Sequence, residues 1–299
     1  MGTPDFAVPS LRALVVAGFP VLAVITAPDK PKGRGLQPAS SPVKQYAASV
    51  GLPVWQPANL KDPVFQAELA ALGADLQVVV AFRMLPEAVW AMPAFGTFNL
   101  HASLLPQYRG AAPINWAVMN GETETGLTTF FLQHEIDTGS IIFQEKEPIH
   151  WDDTAGSLYE RLMIKGANLV LQTAQAVEHG QVPSQAQTAM PGLKAAPKIF
   201  KETCQIDWGR PARELYHFVR GLAPYPTAWT QLEGKVLKVY WAQALDQDHS
   251  LSPGQWRSDG ATYLHFATGA GWLELKDVQM EGKKRMDIQS FLRGYKLPK

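Results

Sequence analysis

"LQVVVAFRMLPEAVWAMPAFGTFNLHASLLP", residues 76–106, holds two short apolar runs separated by a proline-started segment. The first run, 76–82, is rich in β-branched residues and reads as a buried strand, a short helix follows Pro86, and residues 96–101 read as a second strand. Before it, 6–17 reads as a helix stopped by Gly18, "FPVLAVITAP" (19–28) as a buried strand, "DKPKGRGLQPASSP" (29–42) as loop by composition, and 61–72 as a helix. Ser41 followed by Pro42 is the signature of an N-cap with proline in the first turn, so another helix starts there. Strands alternating with helices predict a Rossmann-like, doubly wound, mostly parallel sheet, an α/β class whose ligands sit beyond the C-terminal strand ends.

The pattern then changes. Residues 126–149 read as two strands around an Asp-Thr-Gly turn, and 154–180 as a long amphipathic helix capped by Thr154. Residues 183–203 are rich in Pro, Ala, Gln and Lys without periodicity. A helix over 210–221 and short strands at 228–233, 235–243, 262–267 and 271–279 predict a small OB-like β-barrel. The expected organisation is a domain over 1–183, a linker over 184–203 and a second domain over 204–299. Gly2-Thr3-Pro4-Asp5 would suit the turn after the first strand of a Rossmann-like unit, yet almost nothing precedes it. The sheet is therefore expected to lack its first strand, which in this topology lies in the middle.

The chain has 299 residues, formal net charge zero and 46% hydrophobic residues, values of a protein with a real core. Residues 201–299 carry 14 Lys and Arg against 11 Asp and Glu, so the C-terminal third is slightly basic. A single cysteine, Cys204, excludes an intrachain disulfide and a cysteine metal cluster. With no long apolar run and no signal-peptide pattern, a cytoplasmic protein is expected.

Strand side chains alternate, so Asn99 and His101 share one face while Phe98 and Leu100 share the other. At the end of a central strand the polar pair would face the ligand crevice. Asn99 offers an uncharged amide donor, and His101 can donate or shuttle a proton near neutral pH. Two donors aimed at one point suit a developing oxyanion. Asp137, in the later turn, could orient His101 and favour its protonated form. This reading is acyl-group transfer through a tetrahedral intermediate, the nucleophile coming from the substrate. The alternative is structural: polar pairs at strand ends also cap loops, and Asp-x-Gly is a common hairpin turn. His134 reads as strand surface, and His150, His179, His217, His249 and His265 show no pattern.

The segment "NLHASLLPQYRGAAPINWAVMNGETETGLTTFFLQHEIDTG" (99–139) resembles the active-site segment of the formyltransferases that use 10-formyltetrahydrofolate, in the branch acting on methionine esterified to initiator tRNA. The likeness continues through "GTPDF", "APDKPKGRG", "SPVKQYA", "VVVAFRMLP", "APKI" and "APYPTAW", nearly the whole chain in order. It implies Asn99, His101 and Asp137 as the catalytic trio, and Ser103, Leu104, Leu105 and Pro106 as the strip lining the tetrahydrofolate site. Phe82, Arg83, Met84 and Leu85 match the segment that in this family lies against the pterin ring. No metal is implied, and a monomer is. The resemblance also implies that the loop holding Lys30, Lys32, Arg34 and Lys44 enters the acceptor end of the tRNA, with Arg34 as the most important base. Lys201, Arg210, Arg213, Lys235, Lys238, Lys283, Lys284 and Arg285 are candidates for a basic face of the second domain. Relatives that share the trio act on an amino sugar or a nucleotide amine. A binding protein left inactive by the missing strand is the reading from another class.

Overall fold

A computed structural model describes residues 1–32, 37–188 and 191–297, without the side chains of 31, 32, 37 and 38. In chain order the elements are α1 (Val8–Val16), β1 (Val24–Ile25), β2 (Lys30–Lys32), β3 (Gln37–Ala39), α2 (Pro42–Ser49), β4 (Val54–Trp55), α3 (Pro63–Ala71), β5 (Gln77–Val80), α4 (Glu87–Trp90), β6 (Thr97–His101), β7 (Arg109–Gly110), α5 (Pro113–Met119), β8 (Glu124–Phe131), β9 (Ile141–Pro148) and α6 (Ala155–Glu178). Then follow β10 (Ala195–Ala196), α7 (Ala212–Leu222), β11 (Ala228–Leu232), β12 (Lys235–Leu245), β13 (Trp256–Ser258), β14 (Leu264–Ala267), β15 (Trp272–Met280), β16 (Met286–Asp287) and α8 (Ile288–Gly294). Among the described residues no helix is long and apolar enough to cross a membrane.

The chain divides into two compact units that interleave along the sequence. The first comprises Met1–Gly110, Thr125–Glu147 and Tyr159–Ala195, the second Ala111–Glu124, Pro148–Leu158 and Ala196–Lys299.

In the first unit β1 pairs in parallel with β4, β5 in parallel with β6, and β8 runs antiparallel to β6 and pairs onward with β9. The expected missing strand is corrected in part: Met1–Gly2 fills the gap between β1 and β5. Gly2 N donates to the Ile25 carbonyl at 3.1 Å, and Val80 N donates to the Met1 carbonyl at 2.9 Å. A Cβ on Gly2 would lie 2.6 Å from Ala7 Cβ and 2.9 Å from Val80 O, so this position admits only glycine. Beside it lies an apolar cavity of about 410 Å³ lined by Leu14, Val24, Leu69, Val78, Phe95 and Val177. The Met1 amine donates to the Val78 carbonyl at 2.6 Å, and its burial pulls its pKa down to about 5.

Local signals set several boundaries. Ser41 Oγ accepts from Lys44 N with Pro42 opening α2, Asp62 caps α3, and Thr154 Oγ1 accepts from Ser157 N at the start of α6. Residues 19–28 form a ladder only at Val24–Ile25, because both neighbours are two residues long. The stretch expected to be loop instead contains the β2–β3 ribbon. The register sets Pro31 opposite Pro38, and proline is tolerated where a ladder needs no N–H. The stretch expected as linker binds back onto the first unit at Gln185, which exchanges hydrogen bonds with Ile141, and at Lys194, whose carbonyl accepts from Tyr108 N.

The second unit is an antiparallel sheet in the order β11-β12-β15-β14-β13, with β16 beside β15. Register shifts near Trp241 bend β12, and the sheet curls into a half-barrel against α7. Leu237, Val239, Phe266, Leu273 and Leu275 alternate inward to meet Leu215, Phe218, Val219 and Leu222 of α7.

Candidate active site

The site is built at the C-terminal end of β6, within the first unit. Phe98 and Leu100 are fully buried, and Asn99 is half-buried on the opposite face. The Asn99 amide makes no hydrogen bond with the described residues, which leaves its donor available. His101, two residues on, is only 6% exposed. Its Nε2 lies 2.9 Å from the Tyr108 carbonyl oxygen, and because a carbonyl only accepts, Nε2 is the donor there. Its Nδ1 faces Asp137 Oδ2 at 3.8 Å.

Asp137 is brought to His101 by the turn between β8 and β9. It adopts a left-handed backbone conformation, φ 54°, which aspartate tolerates better than most residues. Its Oδ2 also accepts from Gly110 N at 2.9 Å. Two residues later the chain passes so close to β8 that a Cβ on Gly139 would lie 1.6 Å from the Phe131 carbonyl oxygen. The turn therefore has little freedom.

The strip after β6 is tied down from beneath. Ser103 is buried and donates to the Gln107 carbonyl at 2.6 Å, so its side chain serves the loop. Leu105 packs with Phe130 and Ile141, whereas Leu104 and Pro106 are partly exposed. Of the other segment, Leu85 is core, Phe82 packs against the core edge, and Met84 is 74% exposed. Arg83 donates to the carbonyls of Pro57 and Ala58 and lies over the Phe82 ring.

The basic residues fall into distinct settings. Lys30 is exposed in β2, the side chain of Lys32 is not described, and Arg34 lies outside the described residues. Lys44 is occupied: its Nζ is 2.7 Å from both Asp29 Oδ2 and Gln56 Oε1, and it holds the Asp29 carboxyl below the usual range. In the second unit, register places Lys238 between Trp229 and Gln279, and the Trp229 indole donates to the Lys201 carbonyl. Lys235, Lys283, Lys284 and Arg285 lie at the ends of the same strands, where Glu281 N bonds the Val236 carbonyl and Gln279 the Lys283 carbonyl. Arg285 is committed to Asp277, with Nη2 to Oδ2 at 2.6 Å, and stacks on Tyr240. Arg210 and Arg213 lie at the start of α7, Arg210 paired with Glu214.

Sequence reading missed several groups. Thr128 and Gln144 support the strip from β8 and β9, Gln187 bonds the backbone of the Asp137 turn, and Arg109 bonds Gln187. None of these has a spacing signal, because each acts across dozens of residues of chain.

At the C-terminal end of β6 an uncharged donor stands on the same strand face as a buried histidine–carboxylate pair, an arrangement with the chemistry that group transfer needs. Comparison with known proteins agrees: residues 1–174 match the formyl transferase family and residues 198–296 match its C-terminal domain. The chain is 56% identical over 308 residues to a methionyl-tRNA formyltransferase of Parabacteroides distasonis, covering 99% of this chain and 94% of that protein. It is 53% identical over 305 residues to the Bacteroides fragilis protein of the same name, with coverage of 99% and 94%. Among solved structures, the sugar 3N-formyl transferase WlaRD, crystallised with dTDP and 5-N-formyl-THF, superposes with a TM-score of 0.67 at 18% identity, covering 95% of this chain and 97% of that one. An N-formyltransferase from Helicobacter canadensis gives 0.66 at 19% identity, covering 93% and 97%. At that identity the two structures speak for the fold. The chain belongs to the formyl transferase family, in its methionyl-tRNA formyltransferase branch.

Proposed function

We propose that this enzyme transfers the formyl group of 10-formyltetrahydrofolate to the α-amine of methionine esterified to initiator tRNA, with Asn99, His101 and Asp137 at the reacting centre. The neutral amine attacks the formyl carbon and a C–N bond forms. The carbonyl electrons move onto oxygen, giving a tetrahedral oxyanion. On collapse, the bond from carbon to the folate N10 breaks, the amine has lost a proton, and N10 leaves with one. Asn99 donates its amide to the oxyanion. His101 adds positive character beside it, and Asp137 holds the ring and helps to move the proton through water.

The observation that carries this reading is the Asn99 amide, unengaged and next to a histidine whose two nitrogens face Tyr108 O and Asp137 Oδ2. A purely structural polar pair would have spent both side chains on the loop. The backbone and apolar edges of 82–85 and 103–106 supply the folate face. The first unit, whose chain runs on to Ala195, carries the catalysis, and the second binds tRNA, its Lys201, Lys235, Lys238, Lys283 and Lys284 meeting phosphates, with the protein acting as a monomer in the cytoplasm. The residues from Lys30 to Lys44, with Arg34, meet the acceptor end.

The test offers 10-formyltetrahydrofolate with methionyl initiator tRNA, uncharged tRNA or a free amino sugar. Rapid formylation of the charged tRNA alone is expected. Formylation of the amino sugar, with none of the tRNA, overturns the assignment of acceptor.

A further inference from the structure

Gln187 comes from an aperiodic stretch that composition marks as connecting chain, yet its amide is fully spent inside the first unit. Nε2 donates to the Asp137 carbonyl at 2.8 Å and to the Gly139 carbonyl at 2.9 Å. Oε1 accepts from Arg109, from Nε at 3.1 Å and Nη2 at 2.6 Å. A guanidinium only donates and carbonyls only accept, so the amide has one possible orientation. Both its hydrogens and its acceptor are used.

These bonds end on the backbone that sets the position of the Asp137 carboxylate. Asp137 sits at φ 54°, a left-handed conformation that aspartate tolerates but does not prefer, so the bonds around the turn decide whether it is kept. Gln187 imposes it on the carbonyl side. On the carboxylate side Gly110 N bonds Oδ2 at 2.9 Å. Arg109 and Gly110 are adjacent, so one short strand grips the turn twice, through Gln187 and directly. The other end of the turn cannot relax, because Gly139 lies against β8.

We infer that Gln187, backed by Arg109, is a positioning residue for the transfer reaction: it fixes the Asp137 turn so that the carboxylate faces His101 Nδ1. The inference rests on the function proposed above. Gln187 touches no reacting atom and acts only through Asp137.

Gln187→Ala is expected to lower kcat by on the order of 10- to 100-fold, the cost of about an ångström of misplacement, with KM for both substrates nearly unchanged. Gln187→Glu keeps the size and the acceptor for Arg109 but has no donor for the two carbonyls, so it loses as much. A space-filling role would leave Gln187→Glu close to wild type. In an Asp137→Asn background, Gln187→Ala is expected to cost nothing further. Near-normal kcat in Gln187→Glu, or losses that multiply in the double variant, would overturn the proposal. Hydrogen exchange of the Gly110 amide reads the clamp without catalysis. Exchange at least about tenfold faster in Gln187→Ala is expected, from loss of the partner carboxylate's fixed position. Unchanged exchange sinks the inference even if the wild-type chain transfers no formyl group, an outcome that would count against the proposed function separately.

Discussion

The hydroxyl of Thr128 donates to the Ser103 carbonyl at 2.6 Å and accepts from Leu105 N at 3.1 Å, in a fully buried position. Gln144 Nε2 reaches the same hydroxyl at 3.0 Å and the Leu105 carbonyl at 2.9 Å. One threonine thus satisfies the backbone of the strip that follows His101. Thr128→Val keeps the shape and removes the three hydrogen bonds of the hydroxyl. Each buried group left unpaired costs about 1–3 kcal/mol, so a loss of roughly 3 kcal/mol is expected. Thermal unfolding should show Tm lower by about 6–12 °C for a unit of this size. A Tm within about 1 °C of wild type would remove this support from the account.

Stability should also depend on pH through His217. Burial, with Arg220 and Arg213 nearby, lowers its pKa to about 4. Its Nδ1 accepts from Arg220 Nε at 3.1 Å, while Arg220 Nη1 donates to the carbonyls of His150 and Asp153. The folded pKa is below the unfolded one, so the unfolded chain binds the extra proton first. Stability is intact above the ordinary histidine pKa of 6.5 and falls as pH drops toward about 4. His217→Asn keeps an acceptor for Arg220 and cannot titrate, so denaturation midpoints followed from pH 7 to 4 should fall less steeply than in wild type. Equal slopes would show that other groups carry the acid sensitivity.

Salt dependence separates the basic residues of the second unit. A lysine that meets a phosphate releases about one counterion, and its removal lowers the slope of log affinity against log salt by about 0.7–0.9. Lys238→Ala should show that drop for tRNA binding. Arg285→Ala should show less, since Asp277 already occupies its guanidinium. Equal drops for the two would mean that Arg285 leaves Asp277 when RNA binds.

Much of this molecule is legible in its sequence where the cause is local. Ser41-Pro42 and Thr154 announce their helices because capping involves atoms three residues apart. The shared face of Asn99 and His101 follows from strand parity alone. The β2–β3 ribbon was hidden by its two prolines, which argue against a strand unless their pairing is known. Met1–Gly2 is too short to register as a strand, and it becomes one only through hydrogen bonds to Ile25 and Val80. Gln187 gave no signal at all, for its meaning depends on a turn about fifty residues earlier. Side chains that position others are read from the fold, whereas those that do chemistry show in the residue types.

The most direct test is single-turnover formyl transfer by Asn99→Ala, with folate affinity measured on the same protein. An oxyanion donor is worth a factor of about 100 to 1,000 in turnover, so the rate should fall by that much while the dissociation constant for folate stays within about twofold. A variant that turns over at the wild-type rate would contradict the central claim that the Asn99 amide stabilises the transition state.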